Sequence, residues 1–442
     1  MSNSEMPDGA RPENQITTDP TKPAQRMRAG SMTLSVGPWI AAAVLLAILP
    51  FVFTSNSALT IMNQMWITVV FALAYNMLLG QGGMLSFGHA VYAGVGGFAC
   101  MHIMNATDFF ASLPLPVLPL FGGLFGMGLA LIVGSFSTRS AGTVFAMISL
   151  GVGELIAACS VIIVAFFGGE EGISGDRGEA LPFFGLNFWT QIEVYYLTAF
   201  WVFVSAALMY LWSRTPVGRM ANAVRDNPER AEFLGYSSRW VRFYSFVASG
   251  FFAGVAGGLF AINYEILTEE NLNAASSGII LLVTFLGGVG FFFGPIIGAI
   301  VFTLVQTVLS LQTELWAFYA GLLFLATVMF FPGGLAGLIM MHVPPLRLGK
   351  LGLLTMPYVR TLIPAAIGIL GLCALVEMTF HYRHASTGDH EMTLFWTTFD
   401  SHSILPWIIA IAVTLVGLGI ARRTAPDLKE AWNEANTPGG AA

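Results

Sequence analysis

The chain has 442 residues, of which 55% are hydrophobic and 10% charged, with a formal net charge of -6. Soluble domains carry about 25% charged residues, so this chain cannot clothe a water-facing surface, and composition points to an integral membrane protein. Cys100, Cys159 and Cys373 each sit in an apolar run without CxxC spacing, which gives neither a disulfide framework nor a zinc site.

Residues 1–36 are polar and lack an apolar core long enough for a signal peptide, so they predict a disordered cytoplasmic tail. Apolar runs follow at 37–53, 58–79, 83–104, 114–135, 141–167, 194–212, 241–263, 276–290, 292–311, 315–331, 361–380 and 404–421. A helix crosses a bilayer with about 20 apolar residues, and continuous runs exclude the alternation of a strand barrel. The expected fold is all-α and polytopic, with about 10–12 transmembrane helices, some of them Gly-rich, broken or re-entrant. It divides into a core at 37–342, a cytoplasmic connection at 343–360, an extra transmembrane hairpin at 361–421 and a cytoplasmic tail at 422–442.

Orientation follows from the basic residues. Arg11, Lys22, Arg26 and Arg28 lie in the N-terminal tail, Arg214, Arg219, Arg225, Arg230, Arg239 and Arg242 in 213–242, and Arg422 and Arg423 near the C-terminus. In contrast, 168–193 and 265–270 are acidic. Both termini and the 213–242 loop are therefore expected in the cytoplasm.

Within 79–99, LGQGGMLSFGHAVYAGVGGFA sets glycines, Ser86 and His89 between two apolar runs. Broken helices at membrane depth are tolerated where protein covers the backbone or water lines it. Ser86 and His89 are expected to face the protein interior, lining a path or serving as hydrogen-bonded packing residues. Glu154, near the middle of 141–167, is a mid-membrane carboxylate: either a functional group or one hydrogen-bonded to a neighbouring helix. Gly250, Gly254 and Gly258 form a doubled GxxxG for close helix packing. The run LGGVGFFFGPIIGA at 286–299 echoes the first glycine-rich stretch, as in transporters built from repeats.

The insert 214–235 reads RTPVGRMANAVRDNPERAEFLG. Thr215 then Pro216, and Asn227 then Pro228, are two helix-start signals, and Gly235 is a stop. Val217, Met220, Ala221 and Val224 share one face of the first helix, and that face needs a partner.

No GxxxxGK[ST] is present, so the chain has no P-loop for ATP. No spacing of nucleophile and base suggests an enzyme, and no basic patch with interleaved aromatics suggests nucleic acid. His381, His384, His390, Asp389 and Glu391 gather in HYRHASTGDHEM, where the ligand types suit a metal but a polar loop is the plainer reading.

Several runs resemble the membrane permeases of branched-chain amino acid ABC importers. They are LAYNMLLGQGGMLSFGHAVYAGVGGFA, SAGTVFAMISLGVGELI, FFGGEEGISG, TPVGRMANAVRDNPERAEFLGYSSRWVRFYSFVASGFFAGVAGGLFA, FLGGVGFFFGPIIGA and FFPGGLAGLI, in order over roughly 40–342. FFGGEEGISG has Gly168 where the family often has Thr, and the last ~100 residues exceed the usual family length. The resemblance implies a subunit in the bacterial inner membrane that pairs with a second, similar permease and works with two ABC ATPase subunits and a periplasmic solute-binding protein. It implies no cofactor in this chain, ATP being bound by the partner subunits. It assigns Gly218, Arg219, Ala223, Arg225, Ala231 and Gly235 to ATPase coupling. The expected solute is a branched-chain amino acid or a similar small polar molecule; relatives carry urea, short amides or aromatic acids. Two other readings stand beside it: an ion-coupled secondary carrier using Glu154, and a passive channel for a neutral solute.

Overall fold

Glycine sets both the breaks and the contacts of this helical protein. The computed structural model describes residues 36–106, 113–179, 183, 185–384, 391–394 and 397–437. In chain order the helices are α1 (Val36–Val52), α2 (Asn56–Asn76), α3 (Ala90–Met104), α4 (Leu118–Ser137), α5 (Gly142–Ile162), α6 (Val164–Phe167), α7 (Gln191–Arg214), α8 (Pro216–Asp226) and α9 (Pro228–Phe233). They continue with α10 (Ser238–Tyr264), α11 (Ala274–Gly287), α12 (Gly294–Leu304), α13 (Trp316–Phe330), α14 (Gly334–Met341), α15 (Val343–Arg347), α16 (Gly352–His384) and α17 (Ile404–Asn436). Strand β1 (Ile173–Ser174) pairs antiparallel with β2 (Ile266–Leu267), and β3 (Glu391–Leu394) with β4 (Thr397–Asp400).

Among the described residues, seven helices are long and apolar enough to cross a bilayer: Asn56–Gln81, Leu115–Ser137, α5, α7, α10, α16 and α17. Trp316–Phe330 and Gly334–Arg347 are apolar and long enough only together, as a pair bent by 50°, the form of a broken span or a re-entrant loop. Val36–Val52, Ala90–Met104, Ala274–Gly287 and Gly294–Leu309 are apolar but shorter. The protein is an all-α polytopic membrane protein, and the twelve expected runs resolve into full-length, bent and short helices. Three of the short helices abut glycine breaks. The run expected at 83–104 is helical only from Ala90, and Gly288, at φ 111°, separates α11 from α12. The chain divides into units 1–49 and 50–442. Helix α1 straddles that boundary and is described only as an apolar helix in itself. The remainder of the expected N-terminal tail lies outside the described residues.

Helix α10 is the hub of the second unit. Of its apolar window 78% is buried, packed by α2, α3 and α4. The expected GxxxG row makes this approach possible. A methyl group at Gly254 would lie 2.9 Å from the Gly122 carbonyl carbon and 3.1 Å from Gly123 Cα. Lipid gives helices no hydrophobic reason to associate, so backbone contact of this closeness supplies the attraction.

The C-terminal hairpin pairs α16 with α17, where Gly368 meets Gly417. It is longer than the apolar run 361–421: α16 begins at Gly352 and α17 continues to Asn436. Two attachments join it to preceding residues. Thr313 Oγ1 and the Tyr319 hydroxyl donate to Glu377 Oε1 at 2.7 and 3.0 Å. Lys350 Nζ donates to the Thr437 carbonyl at 2.9 Å, and His342 bonds the Tyr358 hydroxyl at 2.8 Å and packs edge-on against Trp432.

Candidate functional site

Three regions concern function: the broken segment after α2, a cavity among α2, α3, α10, α11 and α12, and the pair α8–α9. Helix α2 ends in a π-helical turn, Met77–Gln81, a feature frequent at functional sites. Gly83 adopts φ +64°, the left-handed conformation that closes a helix, and its N–H bonds the Leu79 carbonyl. The chain then runs without regular structure to His89. The Tyr75 hydroxyl donates to the Ser86 carbonyl at 2.8 Å, and Phe87 N–H to Ser149 Oγ at 3.1 Å, so the segment is held by α2 on one side and α5 on the other.

Ser86 and His89 are both fully buried. Ser249 Oγ donates its proton to the Ala74 carbonyl at 2.6 Å, so its contact with His89 Nε2 at 3.0 Å is one in which the imidazole donates. Phe71, Tyr75 and Tyr92 surround the ring at centroid distances of 6.0, 5.3 and 5.3 Å. Nε2 is bonded in this way, while Nδ1 is buried with no hydrogen-bond partner among the described residues. Neither Ser86 nor His89 lines the cavity. Glu154 is exposed on α5, with no hydrogen-bond or ion-pair partner among the described residues. The structure does not bring these three residues together.

The cavity measures about 200 Å³. Gln64 and Thr68 of α2, Asn271, Ser276 and Gln306 give it polar points, and Phe71, Phe260, Ile280 and Phe302 are among its apolar walls. No Asp, Glu, Lys or Arg lines it. Such a space suits a small uncharged or internally neutralised solute and offers no ion pair to hold one. Leu267 of β2 contributes to the wall, and its partner β1 belongs to the run FFGGEEGISG. Arg177 fastens this cover: its guanidinium donates to the carbonyls of Phe188, Ile262 and Asn263 and to Gln191 Oε1, all at 3.1–3.2 Å. Two of those carbonyls belong to the last turn of α10, where a helix dipole favours a cation.

Helices α8 and α9 form where their caps dictate. Thr215 Oγ1 accepts from Gly218 N–H at 3.2 Å and Asn227 Oδ1 from Arg230 N–H at 2.9 Å, with Pro216 and Pro228 in the first turns. At Gly235, φ +85°, bonds from Gly235 N–H to Glu232 and from Tyr236 N–H to Ala231 close α9. The apolar face of α8 expected to need a partner is covered by this chain itself. Ala221 and Val224 are buried with Ala231 and Val241, and Met220 packs against them. The pair turns a different apolar surface outward: Phe233 is 91% and Leu234 68% exposed. Sequence reading passed over these two because they end a short helix and share no periodic stripe; their place just before the Gly235 stop was the available signal.

The six residues assigned to this element have distinct surroundings. Gly218 and Ala231 are buried, Ala223 is half-buried, and Arg219 and Gly235 are exposed. Arg225 reaches away from the element and donates from Nη1 to the Gly80 carbonyl in the broken segment.

The sequence matches the family described as branched-chain amino acid transport system / permease component over residues 57–332, more than half of its length. The chain belongs to that family. It is 27% identical over 284 residues to the high-affinity branched-chain amino acid transport system permease protein LivM of Escherichia coli (strain K12), covering 59% of this chain and 65% of the relative. LivM of Salmonella typhimurium (strain LT2) is 26% identical over 274 residues, covering 57% and 63%. The galactose/methyl galactoside import permease protein MglC of the same organism is 25% identical over 287 residues, covering 61% and 84%. The chain thus spans just under two thirds of the length of the LivM proteins, and α16 and α17 lie outside the family match. No solved structure matches the chain.

Proposed function

We propose that this chain is the permease subunit of an ATP-binding-cassette importer in a bacterial inner membrane. With a second, homologous permease it forms the path for a branched-chain amino acid or a similar small polar solute. Separate ATPase subunits bind and hydrolyse the ATP, and a periplasmic solute-binding protein delivers the solute. Both termini lie on the cytoplasmic side.

The observation that carries this reading is the α8–α9 element. It is rigidly capped, packed on α10 through its own apolar face, and left with Phe233 and Leu234 exposed. A chain without a P-loop that builds such a surface beside its arginine-rich loop has the form of a machine driven from outside. Differential binding of the ATPases to two permease states would shift the path between openings. The uncharged cavity supports a solute held weakly in transit, which leaves selectivity to the delivering protein.

Glu154 supports a second membrane subunit. A carboxylate at mid-helix is expensive against lipid, and the described residues give it no partner. A carrier working alone would place its titrating acid inside the bundle.

The test is Phe233→Ser with Leu234→Ser in the tagged chain. These side chains are mostly exposed, so the variant is expected to accumulate normally in membranes. It is expected to lose at least tenfold in recovery of ATPase subunits and in uptake. Parent-level uptake by the double variant would defeat the reading.

A further inference from the structure

An arginine on a loop between membrane helices is ordinarily a topology signal, its charge solvated and its donors facing water. Arg219 fits that description, being exposed with no partner among the described residues. Arg225, one turn and a half further along α8, is also exposed, but its guanidinium is bonded on two sides. Its Nε and Nη2 both meet the one oxygen Asp226 Oδ1 at 2.9 Å, which orients the guanidinium. Nη1 is thereby aimed at the Gly80 carbonyl, 145 residues away in sequence.

Gly80 is not an ordinary acceptor. It lies in the π-helical turn that ends α2, where carbonyls lack intrahelical partners and the helix dipole is negative. A cation there satisfies an orphan carbonyl at the point where the helix stops. The approach depends on Gly83. A side chain at Gly83 would run into Arg225, with 3.3 Å to its Cβ and 3.6 Å to its Cα.

Two further joints meet at the same place. The second glycine break touches the first: a methyl on Gly80 would lie 2.6 Å from the Val289 carbonyl oxygen, and Asn76 Nδ2 donates to the Phe291 carbonyl at 3.4 Å. On the far side, the Phe87 N–H bond to Ser149 and the backbone approach of Gly88 to Gly153 brace the segment against α5. Helix α5 is the one that carries the exposed Glu154.

We infer that Arg225 is the positioning residue that transmits movement of α8 to the broken segment 79–89 and through it to α5. The inference deepens the permease reading and rests on it for its functional consequence. In that role Arg225 faces the membrane helices rather than the ATPase. Asp226 is its orienting partner. When α8 shifts, the Gly80 carbonyl is pulled with it, and the stretch 82–88, which has no regular structure between its two braces, is where the backbone yields.

Two measurements test this. The first needs no transport: amide hydrogen exchange on the purified chain. Arg225→Gln is expected to speed exchange across 82–88 at least tenfold, with α4 and α10 unchanged. Parent-like exchange at 82–88 would overturn the link between Arg225 and the segment. The second uses the full complex in liposomes and reads solute imported per ATP hydrolysed. Arg225→Gln is expected to lower that ratio at least tenfold, and Arg225→Lys, which keeps a cationic donor, to recover part of it. A parent-like ratio in Arg225→Gln overturns the transmission role even if exchange has changed. Failure of the permease reading has a different signature, a parent complex that imports nothing with ATP, and the exchange result then still decides the contact. If Arg225→Gln does not accumulate, Asp226→Ala, which removes the group that orients the guanidinium, is expected to give the same exchange pattern, and parent-like exchange at 82–88 in that variant would overturn the link.

Discussion

Helices α5 and α10 are both long enough and apolar enough to span a bilayer, yet the molecule treats them in opposite ways. Of α10's apolar window 78% is buried, against 28% of α5's. Helix α10 is built of small residues that meet backbone on α3 and α4. Helix α5 turns Val144, Met147, Leu155 and Ile162 outward, from 53% to 77% exposed, with Glu154 among them. Hydropathy is the same statement for both, that the helix lies in the membrane. What separates them is the residue set on each face: glycine rows close a bundle, whereas α5 leaves an apolar face with one acid on it uncovered by the described residues.

The largest expected effect breaks the comparison at its closed side. Gly254→Leu forces side-chain atoms into the Gly122–Gly123 backbone, and overpacking of this kind costs about 3 kcal/mol. The variant is expected to vanish from the membrane fraction, or to show a much lowered Tm in detergent. Gly151→Leu on α5 is its counterpart, since nothing lies within 4 Å of that site. It is expected to match the parent in amount and Tm. Equal loss from both would remove the distinction between the helices.

Next in size is the clamp at the C-terminal end of α10. Arg177→Ala removes a nearly buried guanidinium that holds two carbonyls of α10 and the loop carbonyl of Phe188. Hydrogen bonds to charged groups are worth about 1.5–3 kcal/mol each, and a loss near the lower end is expected because loop backbone can turn to water. Proteolysis within 168–190 of oriented vesicles would register the release as faster cleavage.

The smallest effect on the isolated chain is expected at Glu154. Glu154→Leu leaves its Tm unchanged, because no neighbour is lost, yet lowers recovery of the second permease severalfold. Glu154→Gln keeps a polar group and recovers most of it. Unchanged assembly with Leu would show that α5 faces lipid alone.

Much of this was legible in the sequence. Thr215–Pro216, Asn227–Pro228 and Gly235 set the ends of α8 and α9 through local capping, which the sequence displays directly. The doubled GxxxG announced a close helix contact, since its spacing repeats on one helix face. The rest depended on residues far apart in the chain. That the Ala221–Val224 face is covered by Val241 requires the fold-back of α9 onto α10. That His89 is boxed by Phe71, Tyr75, Tyr92 and Ser249 requires three helices to converge. The reach of Arg225 to Gly80 spans 145 residues, and no periodicity within α8 distinguishes Arg225 from Arg219. Helices α16 and α17 outran their apolar stretches because propensity and the Lys350 and His342–Trp432 contacts extend helix beyond the membrane-spanning part.

The most direct measurement is to tag this chain in its native host, solubilise the membrane gently and identify what purifies with it in stoichiometric amount. The expected result is an ATPase bearing a P-loop and a second, homologous permease, both retained through size exclusion. Recovery of this chain alone, stable and monodisperse, would contradict the account and turn attention to Glu154 as the group of a carrier that works by itself.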